Sequence, residues 1–333
     1  MNNRIPSIVA ACRGAPLALV LVSSATAVEG IDAGCDSSRP TDAESSKAVL
    51  KRVQNAAKQG DADARYRLGR MSYDGMGVER NFAEAAKWYR AAAKQGQPDA
   101  QFRLGLMYSG IGLPQDDTQA EKWFVRATEA YKPQANEGDA HAQCSLGEMY
   151  FAGYGLPRDF SAAAKWFNLA ANQGHSKAQL RLGLQYVTGR GVPRDDAEAA
   201  KWSRLAAEQG DAVAQNLMGA YYHDGQGVPQ DHEVAAKWFR AAAEQGNAEA
   251  QRSLGMQYAE GRGVPQDNVE AYSWFRLAAA GGRGFVQRRA TEAMELIAAR
   301  MTATEIAKAQ TVAGEWKPAQ GSELAADLGN TRD

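Results

Sequence analysis

Small and apolar residues recur along the chain with a rhythm of 36 residues. Gly60, Gly96, Gly138, Gly174, Gly210 and Gly246 each open a unit and Gly282 opens a partial one, at spacings of 36, 42, 36, 36, 36 and 36. Four residues after the opening glycine stands Ala64, Ala100, Ala142, Ala178, Ala214 or Ala250. Eight after it stands Leu68, Leu104, Leu146, Leu182, Met218 or Leu254. Nine after it stands Gly69, Gly105, Gly147, Gly183, Gly219 or Gly255. Positions 4, 8, 9 and 12, the last usually Tyr, share one face of an α-helix, so each unit opens with a helix A. A mid-helix glycine costs about 1 kcal/mol against alanine, and its recurrence predicts close backbone approach by a neighbouring helix.

A turn of the type Gly-x-Gly-Val-Pro then ends helix A, as at Gly189–Pro193. Asn81, Asp116, Asp159, Asp195, Asp231 and Asp267 follow as N-caps of a helix B. Four of them have Glu or Gln three residues on (Glu84, Gln119, Glu198, Glu270), the capping-box spacing. Helix B runs Ala-Ala-Lys-Trp-Phe. It predicts small residues against helix A and one indole (Trp88, Trp123, Trp166, Trp202, Trp238, Trp274) in each seam between repeats. The expected fold is all-α, with about six to seven helix–turn–helix repeats of 36 residues over 45–300.

The second unit lacks one loop residue and carries seven extra residues around Tyr131–Glu137. Seven residues are about two helical turns, which keeps phase, whereas Pro133 argues for a kink or loop. The extension marks either a bend in the array or a contact surface. Lys47–Gln59 reads as a lone helix B with Arg52 in the tryptophan's place. After Gly282 the pattern degrades, with Val286, Ala290 and Thr291 at the repeated positions. A helix to about Met301 follows, and Thr302-x-x-Glu305 then caps another. Residues 301–316 thus read as a capping helix and 317–333 as a disordered tail.

Residues 1–27 read as a signal peptide. Arg4 and Arg13 form a positive region, Leu17–Val22 a short apolar run, and Ala25-Thr26-Ala27 a cleavage site before a flexible linker, 28–44. The apolar run is far short of the ~20 residues that span a bilayer. The expected location is periplasmic or secreted. Cys12 would leave with the signal. Cys35 and Cys144 would remain, either bridged or as two free thiols. The balance of 38 basic against 39 acidic residues gives no basic excess for nucleic acid, and 44% hydrophobic content fits a folded chain.

The pattern Ala-x-x-x-Leu-Gly-x-x-Tyr-x-x-Gly-x-Gly-Val-Pro-x-Asp, then Ala-Ala-x-Trp-Phe-x-x-Ala-Ala, resembles the Sel-one-like repeat family, a relative of the tetratricopeptide repeats. The resemblance covers about 45–300. It implies a right-handed α-solenoid, and it implies adaptor or scaffold roles that are often exported. Ser72 for Tyr, Glu79 for Pro and Ser203 for the second aromatic depart from the pattern. A cysteine-rich branch linked to β-lactam binding or hydrolysis pairs cysteines within each repeat. Here only Cys144 lies in the array, so that branch fits poorly.

No metal or cofactor is expected. The four histidines, His141, His175, His223 and His232, fall at different repeat positions without His-x-x-x-His spacing, although His223, Asp224, Asp231 and His232 flank one loop and could approach. The Gly-x-Gly turns follow a helix where a dinucleotide site needs a strand. No nucleophile–base pair is visible, so no catalytic residue is assigned.

Positions 6, 10 and 13 of helix A vary between units and point away from the repeated alanine, toward the wall that is usually concave in a solenoid. Tyr66, Tyr73, Phe102, Leu106, Phe151, Leu180 and Leu184 make an apolar stripe over the first four units. They are either a groove for a protein or peptide partner or packing between adjacent A helices. The expected function is an exported, non-catalytic interaction scaffold. The alternatives are a cell-wall or exopolysaccharide binder, and a β-lactamase-like hydrolase.

Overall fold

The computed structural model describes residues 46–318. The signal segment, the linker with Cys35, and the tail from 319 onward lie outside the described residues. The described residues form fifteen helices and no strand. They divide into two compact units, the first ending at Ala178 and the second beginning at Gln179.

The first unit holds α1 (Ser46–Gln59), α2 (Ala62–Asp74), α3 (Phe82–Ala93), α4 (Pro98–Tyr108), α5 (Asp117–Asn136), α6 (Ala140–Ala152) and α7 (Phe160–Asn172). Each A helix packs on the B helix after it, as α2 on α3, α4 on α5 and α6 on α7. The boundary falls at the start of α8 (Ser176–Thr188). The second unit continues with α9 (Asp196–Glu208), α10 (Ala212–Asp224), α11 (His232–Glu244), α12 (Ala248–Glu260), α13 (Asn268–Gly281), α14 (Gly284–Ala298) and α15 (Ala303–Glu315).

The caps form where the sequence places them. Asn81, Asp116, Asp159, Asp195, Asp231 and Asp267 each accept a backbone N–H from the first turn of their B helix. At Glu84, Glu198 and Glu270 the third-position carboxylate does not turn back to complete a box. It accepts from Lys87, Lys201 and the Trp274 indole, one turn along the exposed side of the helix. The full reciprocal box appears at Thr302–Glu305, which starts α15. The A helices are capped as well, by Asp61, Gln97, Asp139, His175, Asp211 and Asn247, each directly after the opening glycine.

The mid-helix glycines face an aromatic ring, where the sequence predicts a neighbouring backbone. A methyl group at Gly69, Gly147, Gly219 or Gly255 would lie 2.5–2.8 Å from Tyr89, Phe167, Phe239 or Phe275, and Gly105 meets Phe124 in the same way. Each ring belongs to the residue after the tryptophan and is fully or almost fully buried. At Gly183 the ring is replaced by Ser203. There the Ser203 hydroxyl lies 2.7 Å and the Ala199 carbonyl 3.1 Å from the same point; at Gly255 the Ala271 carbonyl likewise comes within 3.2 Å, beside the Phe275 ring. The tryptophans themselves are less enclosed. Trp202, Trp238 and Trp274 are buried, while Trp88, Trp123 and Trp166 are half-buried. Trp123 lies against a cluster containing Ala85, Ala86 and Tyr89 of the preceding B helix.

Within each unit a polar ladder joins A helices to the B helix before them. Gln101, Gln143, Gln215 and Gln251 donate from Nε2 to the carbonyls of Ala93, Ala135, Ala207 and Ala243 at 3.1–3.2 Å. Arg65 does the same to Ala57 in the first repeat. These glutamines are buried. They satisfy carbonyls that the end of a helix otherwise leaves without partners.

The seven extra residues form no loop. α5 is one continuous helix of twenty residues, with Pro133 in its last turns. Proline removes only its own N–H bond there, and the burial of Tyr131 and Ala135 on either side holds the helix together. The extension shifts the next repeat along α5. In later repeats the second turn glycine sits on the first residue of the preceding B helix, Gly227 on Asp196 and Gly263 on His232. Gly155 instead sits on Phe124 and Val125, seven to eight residues further in.

Candidate functional site

The residues of the expected apolar stripe are mostly inside the repeat interfaces. Tyr66, Phe102, Leu106 and Leu180 are buried, at 6%, 4%, 5% and 1% exposure. Tyr73, Phe151 and Leu184 are half-buried. In the first unit, Tyr66 tilts against Tyr89, Phe102 against Phe124 and Tyr154, Tyr73 meets Phe82 edge-on, and Phe151 lies on Phe160. In the second, Leu180 belongs to the core and Leu184 packs onto it. Of the two roles the stripe could serve, the four buried side chains take the packing role. Each finds an aromatic or aliphatic neighbour from an adjacent helix and has no surface left to offer a partner. The exposed large apolar residues lie elsewhere: Val125, Leu169 and Leu205 on B helices, Ile111 in a turn, Phe285 on α14 and Val312 on α15.

Polar and charged residues share the helix-A faces with this stripe and are unusually enclosed. Arg103 and Glu148 in the first unit are each 8% exposed, as is Arg252 in the second, and Asn216 is 4% exposed. A buried charge is costly unless it is paired or hydrogen-bonded, so these positions carry more than solubility. Cys144, at the register of Tyr66 and Phe102, is fully buried and disulfide-bonded.

The extension of α5 builds one polar cluster that the sequence does not predict. Asp99 in the first turn of α4 accepts from the Tyr131 hydroxyl at 2.5 Å and lies 2.7 Å from His141 Nε2, while Gln97 donates to its other oxygen at 3.1 Å. Burial disfavours the charge on Asp99, but the hydrogen bonds and charge of His141, with those from Tyr131 and Gln97, hold its carboxyl below the usual range. Burial, and then the Asp99 charge, push the Tyr131 hydroxyl well above its ordinary value. An Asp–His pair of this kind can hold or move a proton.

In the second unit, His223 and His232 do come together across their loop, with ring centroids 5.1 Å apart, and His223 Nδ1 lies 2.9 Å from Asp224. Burial, then His223 and Arg262, hold the His232 imidazole below its ordinary value. Burial raises Glu249, at the start of α12, to about 7. No group of three metal-ligating side chains assembles among the described residues. No described helix is long and apolar enough to cross a membrane.

Six segments, 62–97, 98–131, 140–175, 176–211, 212–247 and 248–282, match the sequence model of the Sel1 repeat. The gap between the second and third spans the end of the extended α5. Among solved structures, a Sel1 repeat protein from Oxalobacter formigenes is 33% identical, with 87% of this chain and 80% of that one covered and a TM-score of 0.51. A protective antigen of uropathogenic Escherichia coli with an SLR fold is 24% identical over 87% of this chain and 91% of that one, TM-score 0.35. An immunity protein from Pseudomonas aeruginosa is 21% identical over 66% and 81%, TM-score 0.45. No curated protein matches.

Proposed function

The chain belongs to the Sel1 repeat family, and from that premise we propose that it is an exported, non-catalytic scaffold that binds a protein or peptide partner along its helix-A faces. The observation that carries this reading is the contrast between repeated and varied positions. The repeated Ala, Leu, Gly, Gln and aromatic residues are consumed by packing. The position thirteen residues after the opening glycine changes from copy to copy and keeps surface in four of them: Tyr73, Ser109, Phe151 and His223. A scaffold needs no such variety, whereas a surface that reads a partner does.

Contact would come from the half-buried Tyr73 and Phe151 within the first unit and from the half-buried Leu184 within the second, since the buried aromatics of the stripe are committed to the core. Export is supported by the charged, apolar and small-residue order of the first 27 residues. It is also supported by a disulfide at Cys144, a bond that persists in oxidising compartments.

The test uses residues 28–333 as bait in an envelope extract, beside the Tyr73→Ser/Phe151→Ser variant, which truncates two half-buried rings. Capture by the wild type alone, with equal helicity in both proteins, is the expected result. Equal capture by both would place recognition elsewhere. Empty capture with binding to isolated cell wall, or with nitrocefin hydrolysis, would replace the scaffold reading by a glycan-binding or a catalytic one.

A further inference from the structure

We propose that the first seam of the array, between α1, α2 and α3, is a binding pocket for a phenol ring, the side chain of a tyrosine on a partner. The later seams show what such a ring does there. Tyr108, Tyr150, Tyr186, Tyr222 and Tyr258 occupy one position of every later A helix. Within the first unit Arg90 of α3 donates to the Tyr108 hydroxyl at 2.9 Å. Within the second, Arg204 donates to Tyr222 at 2.6 Å, and Arg240 to Tyr258. Each of these guanidinium groups also stands over its ring, 5.6–5.7 Å from the centre. The pair closes the seam between a B helix and the A helix after it.

The first seam lacks both members. Thirty-six residues before Arg90 and Tyr108 stand Gln54 of α1 and Ser72 of α2. Both line a cavity of about 320 Å³. Ser72 does not fill it, because its side chain is buried and its hydroxyl turns back to the Leu68 carbonyl at 3.0 Å. Leu68, Val78 and the half-buried indole of Trp88 supply apolar wall. Lys58 and Glu79, the latter in place of the turn proline, line it as exposed side chains.

A cavity of about 150 Å³ lined by apolar side chains already takes a benzene ring. One phenol therefore fits here, with room for the atoms that join it to a backbone. Burying the ring beside Trp88 and Leu68 supplies the affinity. The Gln54 amide, at the register of the missing arginine, offers the hydroxyl both a donor and an acceptor. That the ring belongs to a partner chain rests on the scaffold reading above; the phenol site itself does not.

The experiment is titration calorimetry on the full chain with two probes, p-cresol, which is the tyrosine side chain alone, and N-acetyltyrosinamide. The Gln54→Arg/Ser72→Tyr variant, which rebuilds the closing pair, is measured beside the wild type. The wild type is expected to bind one equivalent of each probe. The variant, at equal helicity, is expected to bind neither and to melt at a higher temperature. Amide hydrogen exchange on the wild type is expected to gain protection in α1, α2 and α3 when p-cresol is added, a readout that stands even if the variant fails to fold. No binding by the wild type, equal binding by both proteins, or protection confined to other helices would overturn the proposal. Binding of p-cresol without N-acetyltyrosinamide would leave a phenol site and overturn its use by a partner chain. A p-cresol site together with empty capture from the envelope extract would count against the scaffold reading alone.

Discussion

The contact between a helix-A glycine and the ring after the tryptophan decides how closely the two helices of a repeat approach. At Gly219 the ring of Phe239 lies 2.5 Å from where a Cβ would stand, so there is no room for one. Gly219→Ala should gain about 1 kcal/mol of helix propensity and still destabilise by about 1–3 kcal/mol through overpacking. Gly183→Ala should cost less, because its nearest neighbour is the Ser203 hydroxyl, which can rotate away. Chemical denaturation of the two variants side by side checks the order, and equal losses would show that the ring contact is not the limiting one. This contact was half legible in the sequence. The glycine's recurrence announced a close approach, but the pattern could not say whether backbone or ring fills the space, since both leave the same signature.

Within α5 the extra seven residues act as a helical spacer that shifts the next repeat and brings Tyr131 and His141 onto Asp99. The Asp99 carboxyl is held below its ordinary value of 3.8. Its contribution to stability is therefore fully present above that value and is lost as pH falls through it toward the lower folded value. Asp99→Asn should lower stability most near pH 7 and converge with the wild type below about pH 4, so that its acid limb is flatter, as thermal midpoints across an acid series would show. An unchanged acid limb would mean that the cluster is not coupled to folding. The length of the extension was visible in the sequence as a spacing of 42. Its chemistry was not, because Asp99 and Tyr131 are 32 residues apart and meet only once α5 runs on through Pro133.

At the scale of the whole molecule the array must end without leaving an apolar helix face open to water. α15 performs that service in the second unit. Ala309 and Ala313 are buried, the Ser273 hydroxyl bonds the Ala309 carbonyl, and Ala309 shares a cluster with Tyr272 and Phe275 of α13. Ending the chain after Met301 should expose that face, lower the thermal midpoint and raise binding of a hydrophobic dye. A truncated chain with the midpoint and dye response of the full one would show that α14 suffices as the end. The cap was readable in advance from Thr302 and Glu305, because a capping box is a local signal that needs no tertiary partner.

Everything set by spacing along the chain was therefore determined by the sequence: fifteen-odd helices in pairs, their caps, the turn glycines, the count of repeats and the odd second unit. Helical period and capping depend on residues within a few positions of one another, and six copies repeat the message. What only the tertiary structure decided is which side of each helix remains open. Residues six, ten and thirteen positions after each opening glycine were readable as a wall facing a partner, yet Tyr66, Phe102, Leu106 and Leu180 close against neighbouring helices and Cys144 is sealed in a disulfide. Burial depends on what packs over a face from a distant part of the chain, and no periodicity within the helix carries that information.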